Sequence, residues 1–392
     1  MMTLALVALG LWGYAYAGYP LALAVLARLR PRRVGVAEPA QWPLIGITIP
    51  AYNEAHAIAG TLEAVLAAEY PADRRQIVVI SDASTDGTDD IVKTFAARGV
   101  ELLRQPERKG KTAAENAARA VLRGDIVIQT DASVRIHQAS IRQLAMAFQD
   151  PTVGCASSRD VSVARVDVAA SAGEGAYVGY EMWVRGLETR LSGIVGASGS
   201  LFAIRRDLHA EFVPDNLSRD FAAALVARLR GFRSVSVTDA VCFVPRGGSL
   251  HQEYRRKVRT MARGLATLVY FRRLLNPLAY GLFAWMLASH KLVRWLLPWA
   301  TVALGIAVAG LAPSSAIALG AALGGLVLAG LAAVGWYWPG GSEMPRVVSM
   351  PAFTVAGIVA GLQAWLQLLS GRRAATWEPT RRGVSAGPKP DR

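Results

Sequence analysis

Apolar positions follow two regimes along this chain. Residues 1–27, 295–342 and 347–371 are long apolar stretches without a single charged side chain. A helix needs about 20 apolar residues to cross the hydrocarbon core, so these stretches hold one, two and one spans. Pro313, Ser314 and Ser315 supply the turn inside the longest. Between the first and second stretches the pattern shortens. Strand-like runs at 44–49, 77–80, 100–103 and 126–129 alternate with helical patterns at 55–68, 88–97, 111–122 and 140–148. Ile58, Leu62, Val65 and Leu66 share one face of the first helix, and Gly124 follows the third. Such alternation predicts an α/β domain with a mainly parallel sheet covered on both faces. Beyond Val153 the pattern loosens. A helix is expected at 173–191, a strand at 201–204, a helix at 221–230 and one or two strands within 232–244.

The divisions predicted are an N-terminal anchor at 1–33, a soluble α/β domain at 42–246 and interfacial helices at 250–291. Membrane helices follow at 292–371, and a basic tail at 372–392. Ala15, Tyr16 and Ala17 resemble a signal-peptide cleavage site. There is no basic segment before them, and the apolar run continues past Ala17, so a retained anchor is expected.

Composition sharpens this picture in one respect. The 392 residues carry a net charge of +14, yet the basic side chains gather at the ends of apolar spans. Arg28, Arg30, Arg32 and Arg33 follow the first span, which favours a cytoplasmic position for the next segment. Residues 252–273 hold seven Lys and Arg against one acid, Glu253, and read as a helix lying on anionic headgroups. Membrane lipids rather than nucleic acid are therefore the expected partner. One span before the domain and three after it put the C-terminus outside, whereas Arg372, Arg373, Arg381, Arg382, Lys389 and Arg392 favour the inside. The apolar run at 274–289 is short for a span, but as a tilted or re-entrant crossing it restores the parity; a cytoplasmic tail is expected. Cys155 and Cys242 read as buried thiols. Five histidines without metal spacing argue against zinc.

Candidate chemistry lies at the ends of the predicted strands. Asp82 follows the 77–80 run and Asp131 follows 126–129, where open α/β sheets bind ligands. Turn and cap roles are the alternative for Asp82, Asp86 and Asp131. Arg108, Lys109, Gly110 and Lys111 open a helix, where cations and free amides converge on an anion. Asp220 also opens a helix, in the favourable field of its dipole, and reads equally as a cap.

In this order, Pro50-Ala51-Tyr52-Asn53-Glu54, Ser81-Asp82-Ala83-Ser84-Thr85-Asp86-Gly87-Thr88, Gly110-Lys111, Thr130-Asp131-Ala132-Ser133 and Ser218-Arg219-Asp220-Phe221 resemble family 2 glycosyltransferases. The resemblance covers residues 44–263 and implies the Rossmann-like GT-A fold and inversion at the anomeric carbon. The interfacial helix and the spans resemble the membrane-integrated branch that includes cellulose, hyaluronan and poly-N-acetylglucosamine synthases.

By that resemblance Ala51, Asn53 and Glu54 line the nucleotide site, Asp82 contacts the uracil end, and Lys111 belongs to the nucleotide-sugar site. Asp131 holds Mg²⁺ or Mn²⁺, and Asp220 is the general base. Gly199, Ser200, Gln252 and Trp183 border the acceptor, and Arg255 or Arg256 helps stabilise the diphosphate. The donor implied is a UDP-sugar and the acceptor a growing polysaccharide, in the inner membrane with the domain cytoplasmic. Alternatives are transfer of one sugar to a polyprenyl-linked carrier, or a membrane protein that binds nucleotide-sugar without turnover. Processive relatives end their signature in a tryptophan that stacks on the acceptor; Arg256 stands there, so short products are expected unless an accessory subunit retains the chain. A Rossmann dehydrogenase is excluded, because no GxGxxG follows the first strand.

Overall fold

The computed structural model describes residues 1–29, 38–163, 170–245, 249–339, 342 and 344–371. Arg30, Arg32, Arg33, Arg246 and the basic tail at 372–392 lie outside the described residues.

Four strands form first: β1 (Ile45–Ala51), β2 (Arg75–Ser81), β3 (Val100–Arg104) and β4 (Ile126–Thr130). They pair in parallel, with Ile47 opposite Ile77 and Ile128. The intervening helices are α2 (Ile58–Leu66), α3 (Thr88–Thr94) and α4 (Lys111–Ala118), preceded in the chain by α1 (Met2–Arg28). Because both faces of these strands are covered, they read as continuous apolar runs. Ile77 and Val79 face one core with Ile45, Ile47 and Ile49. Val78 and Ile80 face the other, which also contains Tyr19, Leu23, Phe283 and Met286. One face of the sheet is thus continuous with the bases of two apolar helices.

The second half departs from the parallel expectation. After β5 (Arg135–Ile136) and α5 (Ser140–Met146) comes β6 (Val153–Val163), an 11-residue strand where the sequence pattern shows no clear period. Its alternation is hidden by polar residues that are used internally: Ser157 accepts from the Ser198 amide at 2.8 Å and from Arg185 at 2.5 Å. Then follow α6 (Ala170–Leu191), β7 (Leu201–Arg205), α7 (Arg219–Leu229) and the single long strand β8 (Arg233–Pro245). The eight strands of the described residues are ordered β3-β2-β1-β4-β7-β6-β8-β5, with β7 antiparallel to both neighbours. Cys155 and Cys242 are buried free thiols on β6 and β8.

Helix α8 (Leu250–Tyr270) is amphipathic, as the basic run predicts. Its apolar face is covered by the protein itself: Leu250 packs on Ala352 and Ala356, and Leu265 on Ala364. Among the described residues, four helices are long and apolar enough to cross a membrane. They are α1, α9 (Pro277–Leu311), α10 (Ala316–Trp336) and α11 (Arg346–Leu369). The 274–289 run is thus absorbed into α9 rather than making a separate crossing, with a break in helical geometry at Gly281. α1 runs antiparallel to α9, with Tyr14 bonded to Ser289 at 2.6 Å and Trp12 to Thr301 at 3.2 Å.

Candidate active site

The tips of β1 and β2 carry the backbone conformations that side chains rarely adopt. Asn53 has φ 52° and Ala83 φ 58°, beside a sheet edge where ligands bind. Asn53 is held there by its own side chain, which accepts from the Thr85 amide at 2.8 Å. The Ser84 hydroxyl accepts the Asn53 amide at 3.1 Å, and the Thr88 hydroxyl accepts that of Glu54 at 2.9 Å. The Ala51 carbonyl accepts the Asp82 amide at 2.8 Å, tying the two tips together. Asp82 is buried, and its two carboxylate oxygens accept the Lys109 and Gly110 amides, each at 2.8 Å. It therefore shapes the turn that launches α4. Arg108 lies over the Tyr52 ring at 3.9 Å, closing the same edge.

That turn aims Lys111 into the centre of the site. Its Nζ donates to Asp131 Oδ1 at 2.5 Å and to the Gly199 carbonyl at 3.0 Å. The Asp131 amide donates to the Ser200 carbonyl at 3.1 Å, so β4 and the 198–200 segment are stitched side by side. Asp220 approaches from the other side of Gly199: a Cβ placed on that glycine would lie 2.9 Å from Asp220 Oδ2. Asp220 accepts from the Ser218 hydroxyl at 2.6 Å at the start of α7. Lys111, Asp131, Gly199, Ser200 and Asp220 therefore form one constellation although they span over a hundred positions of sequence.

Two members escaped the sequence reading. Glu115, one turn along α4 from Lys111 and 3.9 Å from its Nζ, is fully buried. Burial pushes its carboxyl up to about 7, with Lys111 and Arg219 pulling the other way. Burial disfavours the Lys111 ammonium, but Asp131, Glu115 and Asp220 outweigh it and raise its pKa. The second is Arg263, whose guanidinium donates to the Thr112 hydroxyl at 2.7 Å and to the Asp215 and Leu217 carbonyls. It docks α8 on the first turn of α4. A basic residue two turns beyond Arg256 is the sequence signal for it. Arg219 points inward, bonded to Asn116 at 2.7 Å and to the His209 carbonyl at 2.5 Å, and anchors α7 to α4.

Other expected residues lie apart from this constellation. Arg256 pairs with Glu253 at 2.6 Å, and Gln252 and Arg255 are exposed on α8. Trp183 is half-exposed on α6, its ring 6.1 Å from that of Tyr180, in an aromatic row that reaches Tyr16 of α1.

Among the described residues, no three His, Cys, Asp or Glu side chains make a ready metal cage. A hard cation on a diphosphate takes most ligands from phosphate and water. Asp131 fits that limited role: its side chain is part-exposed, and its described bonds engage Oδ1 alone.

Residues 47–212 match the family model for glycosyl transferase family 2. The chain carries a family 2 glycosyltransferase domain. Glycosyltransferase AglE of Haloferax volcanii is 33% identical over 98 residues, 24% of this chain and 32% of that protein. An N-acetylglucosaminyltransferase of Rhizobium sp. is 24% identical over 220 residues, 51% of this chain and 48% of the relative. The glycosyltransferase matches thus span about a third to a half of these curated relatives. Mannosyltransferase PcManGT from Pyrobaculum calidifontis, solved in complex with GDP-Man and Mn2+, has a TM-score of 0.70 at 24% identity. That likeness covers 94% of this chain and 99% of the other, and shows that the GT-A fold is shared.

Proposed function

We propose that this protein is a membrane-bound inverting glycosyltransferase that moves one sugar per encounter from a UDP-sugar to an acceptor at the membrane face. The observation that carries this is the meeting of Asp131, Lys111 and Asp220 around the Gly199 backbone. Asp220 takes the proton of the acceptor hydroxyl, whose oxygen bonds to the anomeric carbon as the sugar–phosphate bond breaks and UDP leaves. Lys111, held protonated by its three acidic neighbours, faces the leaving diphosphate. Ala51, Asn53, Glu54 and Asp82 form the nucleotide end, and Gly199 and Ser200 the floor under the acceptor. Asp131 would hold Mg²⁺ or Mn²⁺, which would supply charge stabilisation of the diphosphate; the Mn2+ of the Pyrobaculum structure supports this. The GDP-Man of that structure supports a nucleoside-diphosphate donor.

The four apolar helices support a multi-pass membrane position, and the arginines that follow the first span support a cytoplasmic domain. Single transfer to a lipid-linked carrier is preferred to polysaccharide extension because Tyr254 is already used. Its hydroxyl bonds Gln363 and its ring packs edge-on against Trp336 at 5.3 Å. UDP release from a panel of UDP-sugars, by purified protein in detergent with manganese, tests the reading. Release with one sugar supports it. Binding of UDP-sugars without release under any acceptor supports the non-catalytic alternative.

A further inference from the structure

From Tyr177 onward, helix α6 is built inside out. Its charges turn inward: Arg185 is 5% exposed and Glu188 0%. Glu188 bonds His290 at 2.6 Å, and Glu181 bonds His290 and Arg294, each at 2.7 Å. Its rings turn outward: Tyr177 and Trp183 are each 48% exposed, with Val178 and Met182 half-buried between them. Arg190 alone among the charged side chains of residues 177–191 is exposed. A helix that covers a water-soluble domain shows the opposite arrangement, apolar side in and charged side out. Inward-turned, mutually paired charges are the rule where the outside is lipid.

The setting of α6 points the same way. α1 runs beside it: the Tyr180 hydroxyl donates to the Tyr16 carbonyl at 3.1 Å, and Arg190 Nη2 to the Ala27 carbonyl at 2.7 Å. Over that stretch α1 buries Tyr19, Leu23 and Ala27, and exposes Leu21, Val25 and Leu29 on its far side. A helix long and apolar enough to cross a membrane therefore still presents an apolar stripe at the level of α6. A row of rings joins the two helices. Trp12 stacks on Tyr16 at 5.5 Å, Tyr16 meets Tyr180 at 6.2 Å, and Tyr180 meets Trp183 at 6.1 Å. Trp and Tyr gather at the headgroup level of membranes. Arg28 and Arg190, both exposed, lie where the two helices end, within reach of anionic headgroups. An exposed apolar face marks a protein or a membrane contact. The adjoining span, the ring chemistry and the terminal arginines favour the membrane.

We propose that α6 is a lipid-contacting helix in addition to the four apolar ones, its Tyr177–Trp183 face lying in the interfacial layer of the bilayer. Apolar composition does not pick it out, because Glu181, Arg185, Glu188 and Arg190 interrupt it. The consequence reaches the candidate site. Arg185 donates to the Ser157 hydroxyl, which also accepts the Ser198 amide at 2.8 Å, one residue before Gly199. The helix that touches lipid thus helps hold the 198–200 segment, and so sets the mouth of the site at the bilayer surface. The proposal concerns a surface and stands whether or not sugar is transferred.

The test places a fluorophore on single introduced cysteines, Tyr177→Cys and Trp183→Cys, in the full chain reconstituted into phospholipid vesicles. Cys155 and Cys242 are buried, so labelling falls on the introduced thiol. Leu326→Cys on α10 and Lys93→Cys on α3, both at exposed positions, give the lipid and the water reference. Both α6 labels are expected to be quenched by lipids carrying a nitroxide on the acyl chain, as at Leu326, and to be shielded from aqueous iodide. Iodide quenching as strong as at Lys93, without lipid quenching, overturns the proposal. Shielding from both quenchers means a protein contact, such as a second copy of the chain, and overturns it too. The unmodified chain gives a check that no substitution disturbs. Hydroxyl-radical footprinting in the same vesicles should leave Tyr177 and Trp183 less oxidised than Phe212, which is 63% exposed on the domain. Oxidation of Tyr177 and Trp183 above that of Phe212 contradicts the lipid contact.

Discussion

Lys111 Nζ bridges Asp131 Oδ1 at 2.5 Å and the Gly199 carbonyl at 3.0 Å, so one ammonium joins the metal-site candidate to the proposed acceptor floor. This is unlike the exposed Arg98–Glu63 pair on the surface, where solvent leaves little net stabilisation. Three carboxyl groups, Asp131, Glu115 and Asp220, favour the charged form of Lys111. The geometry fits a side chain that neutralises the site until a diphosphate arrives.

Asp220→Asn should fold, bind UDP with near-normal affinity and fail to transfer sugar. A base that acts on the acceptor contributes little to donor binding, and its loss costs about 10²–10⁴ in rate. Calorimetric UDP binding beside UDP release checks both halves. A collapse of UDP affinity would move Asp220 into the donor site.

Gly199→Ala separates the floor of the site from its stability. The new methyl would meet Asp220 Oδ2 at 2.9 Å, and that atom is the end of a side chain rather than backbone. Asp220 can swing away, so the melting temperature should change little while turnover falls by about tenfold or more, as expected for a displaced base. A large loss of stability with unchanged turnover in the folded fraction would contradict this.

Glu115 should impose a pH dependence on stability. Its folded pKa of about 7 is raised above the usual carboxyl value of 4.5 by burial. The folded state therefore binds a proton that the unfolded state has released. The contribution is full below about pH 4.5, and it is lost as pH rises through about 7. The loss is on the order of 2–3 kcal/mol at most. Glu115→Gln should flatten this fall, and its thermal melts should gain on wild type between pH 5 and about 8. Parallel wild-type and variant profiles across that window would exclude Glu115 as the cause.

The parts of this molecule that the sequence discloses are those with one dominant environment. β1, β2 and β4 are buried on both faces and read as apolar runs; α3 starts at Thr88 and α4 at Lys111, each directly after a glycine, Gly87 and Gly110. β6 was hidden because Ser157, Ser158 and Asp160 are partnered inside the fold, which no local period reveals. Asp82, Asp131 and Asp220 stand out because each ends a strand or opens a helix. Glu115 does not, since a glutamate four residues after a lysine looks like an ordinary surface pair. Arg263 was one of many arginines on a basic helix, and only tertiary packing singles it out.

Product length follows from the packing of α8. Tyr254 is committed to Trp336 and Gln363, and Arg256 to Glu253, so neither of these positions offers a free ring to hold a growing chain. Products sized after incubation with labelled UDP-sugar should carry one or a few added sugars. Long polymer formed while most acceptor remains unused would show processive synthesis.

The central claim is that Asp131 and its partners form a working transfer site, and Asp131→Asn tests it most directly. UDP release by the full chain in detergent should be measured for wild type and variant across a manganese titration. The expected result is a folded variant whose turnover falls by about 10²–10³, as when a principal charge-stabilising group is removed. Wild-type turnover by the variant at low manganese would contradict the account.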